Sequence, residues 1–269
     1  MTSSTASPLD HLAAGSGPGL VLIHGTGADA ASGWGTLIDD LSDRYTVVAP
    51  NLPGAGATPT PTGPLDLDEL ARQVLATAHA AGLERFHLVG HSLGAVVATA
   101  VAAREPRAVA SLLLHAGWVT TGPRERLMFD FWARLLRADP ALLARELIFS
   151  AMGPETLSAF DDDQLAELAT GFTAMLSDRI LPQLELNARI DLRDSVGRVL
   201  APTLVLASGE DQIIPPRHQR ELAAALRDSR YLEVPAGHGL PFTDPARFSS
   251  IITEFVDAQQ AGVATGAAA

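Results

Sequence analysis

The chain has 269 residues, room for one large α/β domain or a domain carrying one insertion, and 47% hydrophobic against 19% charged residues is the balance of a chain that folds. It contains no cysteine and no lysine, which excludes a thiol nucleophile, a cysteine-ligated zinc, a disulfide framework and Schiff-base chemistry on a lysine amine. A formal charge of −12 opposes phosphate backbones and anionic lipid surfaces, so neither nucleic acid nor membrane is expected as a partner.

Residues 1–19 carry no basic segment followed by an apolar one, and nowhere does a run of about 18 apolar residues occur, so a cytoplasmic protein is the default expectation. Residues 8–13 leave room for one weak strand. The run LVLIHG at residues 20–25 is continuously apolar and closed by glycine, which suits a strand buried on both faces of a parallel sheet. The same texture returns at residues 45–50 (YTVVAP), 86–90 (FHLVG), 110–116 (ASLLLHA), 203–207 (TLVLA) and 231–235 (YLEVP). Helical periodicity fills residues 67–81, 93–104, 217–226 and 246–258. Strand followed by helix, repeated, implies right-handed crossovers and an α/β fold built on a doubly wound, mostly parallel sheet.

From residue 118 to 190 that alternation stops. This interval has no β-like run and reads as four or five amphipathic helices separated by Asp-Pro, Gly-Pro and Asp-rich stops, an all-helical cap inserted into a core of residues 1–117 and 191–260. Residues 261–269 are expected to be a disordered tail. The interval holds Met128, Met152 and Met175 and most of the large aromatics, among them Trp118, Phe129, Trp132, Phe149 and Phe172. An apolar stripe of this kind usually makes a small core of its own; the functional alternative is that several of these residues, with His91, line an apolar substrate pocket.

The chemistry centres on Gly90-His91-Ser92-Leu93-Gly94, which follows an expected strand and precedes an expected helix, the setting of a nucleophile elbow. A serine hydroxyl needs a base. His238, between two glycines just past the last expected strand, has no helix face to pack against, which favours a functional role. Asp211 follows the preceding strand in the same way and is placed to accept from the His238 ring, with Glu210 as the competing carboxylate. The backbone N–H of Leu93 and, in the loop His24-Gly25-Thr26-Gly27, that of Thr26 are the expected oxyanion donors, while His24 itself reads as a buried residue that holds the loop.

The segments HGTG at 24–27, NLPGAGAT at 51–58, GHSLG at 90–94, DQIIP at 211–215 and GHGLPFTDP at 237–245 resemble those of the α/β-hydrolase superfamily, and the likeness spans the strand and helix plan from residue 20 to about 258. The resemblance implies Ser92 as nucleophile, Asp211 as acid, His238 as base and the Thr26 and Leu93 amides as oxyanion hole. It requires neither metal nor organic cofactor. Asn51, Ala55 and Thr58 depart from the usual pattern, and those changes are expected to touch loop capping. A serine at the elbow argues against relatives that use an aspartate nucleophile. The expected activity is hydrolysis of an ester or thioester of a medium-sized hydrophobic or aromatic small molecule through an acyl-enzyme. The alternatives are carbon–carbon bond hydrolysis of the meta-cleavage-product type, a lyase or cofactor-free haloperoxidase-like activity on the same three residues, and a ligand receptor with an idle pocket. Exposed cap surface would also serve a homodimer.

Overall fold

The computed structural model describes residues 6–266, with side chains to residue 261. Seven strands form one sheet: β1 (His11–Ala14), β2 (Gly19–Ile23), β3 (Thr46–Pro50), β4 (Phe86–His91), β5 (Val109–His115), β6 (Thr203–Ser208) and β7 (Ser229–Val234), in the spatial order β1-β3-β2-β4-β5-β6-β7. Every neighbouring pair is parallel except β1 with β3, which is antiparallel. The six strands expected from apolar runs are all present, and β1 is the weak one, an edge strand of four residues.

The central strands are unbroken apolar runs because both of their faces are covered. Leu20 and Leu22 of β2 point into a layer with Trp34, Leu37 and Phe248, whereas Val21 and Ile23 point to the opposite side, into a layer with Val74, Val97 and Leu222. The first layer is closed by α1 (Ala30–Ser42) and α11 (Pro245–Gly266), the second by α2 (Leu67–Ala80), α3 (Leu93–Arg104) and α9 (Pro216–Ala225). Helix α3 is apolar on all sides because it is enclosed on all sides, and each such buried aliphatic side chain contributes about 1.5–3 kcal/mol.

Two details differ from the sequence reading. The loop after β2 is short and ends at Asp29, so that a helix not expected from the sequence follows it: the Asp29 side chain accepts from the Ser32 N–H (2.7 Å) while Ser32 Oγ accepts from the Asp29 N–H (3.0 Å), a capping box that opens α1. Of the tail expected to be disordered, residues 261–266 continue α11; residues 267–269 lie outside the described residues.

Between β5 and β6 lie α4 (Pro123–Ala138), α5 (Pro140–Ala151), α6 (Pro154–Ser158), α7 (Asp162–Met175), a 3-10 turn (Asp178–Ile180) and α8 (Leu181–Asn187). Proline at the first position of α4, α5 and α6 and at the second of α8 sets these starts, and Asp139 and Asp161 cap α5 and α7. The two ends of this stretch are pinned together: Thr121 N–H donates to Ile190 O (3.0 Å) and Leu192 N–H to Val119 O (2.8 Å). Among the described residues no helix is long and apolar enough to cross a membrane. A four-residue helix, α10 (Leu240–Thr243), follows β7.

Candidate active site

Ser92 stands between β4 and α3 with φ 55°, a left-handed backbone that a residue with a side chain rarely adopts. The turn closes because its flanking glycines have no Cβ. One added at Gly90 would lie 2.4 Å from Gly94 O, and one at Gly94 would lie 2.0 Å from Ile23 O. The Ser92 N–H donates to His115 O on the neighbouring strand (2.9 Å), which fixes the turn to the sheet. Leu93 opens α3, so its N–H has no partner within the helix, and its apolar side chain is buried in the core.

Asp211 follows β6 and His238 follows β7, so parallel strands deliver both to the same edge of the sheet as Ser92. Asp211 Oδ1 accepts from the N–H groups of Ile213 (2.9 Å) and Ile214 (2.8 Å), which leaves Oδ2 to accept from His238 Nδ1 at 2.8 Å. Both side chains are buried. Asp211, and not Glu210, is thus the carboxylate on the imidazole. Ser92 and His238 both line one cavity of about 470 Å³.

The loop after β2 also reaches that cavity through Gly25, Thr26 and Gly27. His24 has the structural role expected of it. Its Nδ1 lies 2.8 Å from Gly25 O and its Nε2 accepts from the Leu52 N–H (3.0 Å), which joins the two loops and defines a neutral ring. Burial lowers its pKa to about 4. Asn51 and Thr58 are loop ties as well: Asn51 Oδ1 accepts from the Ala30 N–H (2.7 Å), Asn51 Nδ2 donates to Asp10 (2.6 Å), and Thr58 Oγ1 donates to Asn51 O (2.7 Å).

Of the nine residues expected in the pocket, His91, Phe129, Trp132, Met152, Phe172 and Met175 line the cavity. Trp118, Met128 and Phe149 do not. Trp118 is fully buried behind Phe129, with its Nε1–H donating to Thr121 Oγ1 (2.9 Å); Met128 packs against the main core; and Phe149 is 62% exposed on α5, turned to solvent by its place on the outer side of that helix. The two readings of the apolar stripe both apply, because Met152 and Phe172 form a small satellite core with Ile148 and Ala169 and also wall the cavity.

Several residues of the site went unseen in the sequence. Gln183 and Asn187 on α8 face the Gly25–Gly27 loop: Gln183 Oε1 accepts from the Gly27 N–H (3.1 Å) and Asn187 Nδ2 donates to Thr26 Oγ1 (2.8 Å). Nothing in the stretch LPQLELN marks two buried amides. Phe242, on α10, packs edge-on against His91 at 5.8 Å between ring centroids and lines the cavity mouth.

Beneath the elbow, His91 Nδ1 lies 2.9 Å from His115 Nδ1, and His115 Nε2 lies 2.9 Å from Ser208 Oγ. Burial holds both rings well below the usual imidazole range, and the proximity of His238 adds to this. The floor under His238 is therefore polar but uncharged. Among the described residues no group of three or more His, Asp or Glu converges at metal-binding spacing.

A mostly parallel sheet with a serine elbow, and with an aspartate and a histidine on the next two loops, is the architecture of an α/β hydrolase. The sequence model of the alpha/beta hydrolase family matches residues 20–251, and the chain belongs to that family. It is 33% identical over 244 residues to the pyrrolizixenacetamide deacetylase of Xenorhabdus hominickii, covering 90% of this chain and 92% of the relative. It is 31% identical over 221 residues to the candidate carbamate hydrolase RutD of Klebsiella pneumoniae (strain 342), covering 80% and 82%. The enol-lactonase of Burkholderia xenovorans LB400 shares the fold, with a TM-score of 0.82 at 22% identity over 92% of this chain and 96% of that one.

Proposed function

We propose that this chain is a serine hydrolase that cleaves an acyl bond of a medium-sized apolar substrate through an acyl-enzyme on Ser92. The observation that carries this reading is the 2.8 Å bond between His238 Nδ1 and Asp211 Oδ2, at the edge of the cavity that also holds Ser92. With Nδ1–H engaged, His238 presents Nε2 as the base nitrogen. Ser92 Oγ attacks the carbonyl carbon as its proton passes to Nε2, and the carbonyl π electrons move to oxygen. That oxyanion takes the N–H groups of Thr26 and Leu93, since Gly27's N–H is already bound to Gln183. As the carbonyl re-forms, the bond to the leaving group breaks and His238 gives that group the proton. Water then repeats the sequence on the acyl-enzyme, and the acid departs.

The sequence alone pointed to esters and thioesters. The names of the two curated relatives add amides and carbamates to the bonds that this site is proposed to cleave. The cavity walls, among them Phe129, Leu143, Ile148 and Phe172, favour an apolar acyl or leaving group, and residues 118–190 act as the cap over it. Treatment with a fluorophosphonate followed by intact-mass measurement tests the reading. A single adduct that is absent in Ser92→Ala is expected, and an unmodified wild-type chain would sink it.

A further inference from the structure

Two successive peptide units hold Asp211 Oδ1, one through the Ile213 N–H and the next through the Ile214 N–H. The carbonyls of those same two units belong to Gln212 and Ile213, and both accept from one side chain: Arg124 Nη2 donates to Gln212 O and Arg124 Nη1 to Ile213 O (3.2 Å). The carbonyl of Ile214 accepts from Gln219 Nε2 (2.9 Å), and Gln219 is fully buried in α9, where its Oε1 takes the Ala116 N–H (3.1 Å). Gln219 thus belongs to the core, but Arg124 lies in the first turn of α4, at the base of the cap. Beside it Glu125 is 1% exposed, and its Oε1 accepts from Arg124 Nη1 (3.2 Å) and Arg217 Nη2 (2.9 Å), with His218 Nε2 at 2.9 Å. A carboxylate taken out of water is costly even when paired, and this one does not line the cavity. What it does is fix the Arg124 guanidinium.

We propose that Arg124, anchored by Glu125, is a positioning residue for Asp211 and through it for the tautomer of His238. This rests on the reading of Ser92, Asp211 and His238 as the catalytic residues. A peptide unit is planar, so holding its carbonyl also sets the direction of its N–H. The two arms of the guanidinium therefore aim both donors at Asp211 Oδ1, and that leaves Oδ2 fixed on His238 Nδ1 (2.8 Å). The positive charge also polarises both units, which strengthens the bonds that they make to the carboxylate. Helix α4 carries Phe129 and Trp132 in the cavity wall as well, so one element joins the support of the acid to the surface that meets the substrate.

Fluorophosphonate labelling followed against time and probe concentration gives a maximal rate, kinact, and a half-saturating concentration, KI, for Ser92. In Arg124→Met, which keeps the aliphatic stem and loses the fork, kinact is expected to fall roughly tenfold or more while KI stays within about twofold. Arg124→Lys, with a point donor in place of the fork, falls between Met and wild type. Arg134→Met, which breaks an exposed ion pair with Asp130 on the same helix, leaves both constants unchanged. In the Asp211→Asn background Arg124→Met costs no more than about twofold further, since the tautomer that the clamp serves is no longer fixed. The far-downfield proton resonance of His238 Nδ1–H moves or broadens in Arg124→Met and stays in place in Arg134→Met. Wild-type kinact in a folded Arg124→Met, a full further loss in the Asp211→Asn background, or an unmoved resonance would overturn the proposal. Should Arg124→Met not fold, Arg124→Lys, alone and combined with Asp211→Asn, decides by the same criteria. The two levels separate cleanly: a labelled wild type with an indifferent Arg124→Met removes only this inference, and an unlabelled wild type removes the nucleophile as well.

Discussion

His91 and His115 face each other Nδ1 to Nδ1 at 2.9 Å, on adjacent strands beneath the proposed base, and burial holds both rings well below the usual imidazole range. Folding therefore favours the neutral form of both, and of His24 with them. A histidine whose pKa is depressed by folding contributes stability that is complete above its unfolded value of 6.5 and is lost as pH falls through the interval toward the folded value. For His24, with a folded value of about 4, the loss over that interval is on the order of 3 kcal/mol. Urea midpoints should accordingly begin to fall as the pH is lowered from about 6.5 to 5.5, before ordinary carboxylates titrate appreciably. A flat stability profile across that window would show that these rings are solvated.

Asp211 Oδ2 fixes the tautomer of His238, so Asp211→Asn should lower kcat by roughly three to four orders of magnitude with little change in KM. Steady-state kinetics on any turned-over ester or amide measures this. A loss of less than tenfold would mean that another group orients the ring.

At Gly94 the obstacle is backbone on a central strand. Since a methyl group there would lie 2.0 Å from Ile23 O and neither β2 nor α3 has room to retreat, Gly94→Ala should cost about 3 kcal/mol or more and displace Ser92 as well. Chemical denaturation and fluorophosphonate labelling rate report the two effects. A variant of wild-type stability and reactivity would contradict the close approach of β2 and α3.

Met152 joins the satellite core to the cavity wall, and truncating it enlarges the cavity. Met152→Ala should shift the optimum of kcat/KM toward longer acyl or larger leaving groups and destabilise the fold by about 2 kcal/mol or more. An acyl-length series shows whether this wall sets substrate size; an unmoved optimum would place the limit elsewhere.

Much of the site was legible because it is local. The glycines around Ser92, the His238 loop and the Asp211 loop each follow an apolar run, and a parallel sheet carries the ends of such runs to a single edge. The opening of α1 was legible in principle too, since Asp29 and Ser32 have the capping-box spacing, but Gly25, Gly27, Gly33 and Gly35 around it have the texture of a loop.

What the chain order by itself determined was the sheet, the elbow and the choice of three chemical groups, because strand periodicity and tight-turn sterics are properties of neighbours in sequence. Which amides hold the oxyanion loop, which aromatic rings face the cavity and which face water, and that His91 meets His115 across two strands were decided by tertiary structure. Gln183 lies 156 residues from Gly27, and Asn187 lies 161 from Thr26. Hydrogen bonds across such separations depend on how α8 docks on the sheet edge, and no local pattern of residues records that docking.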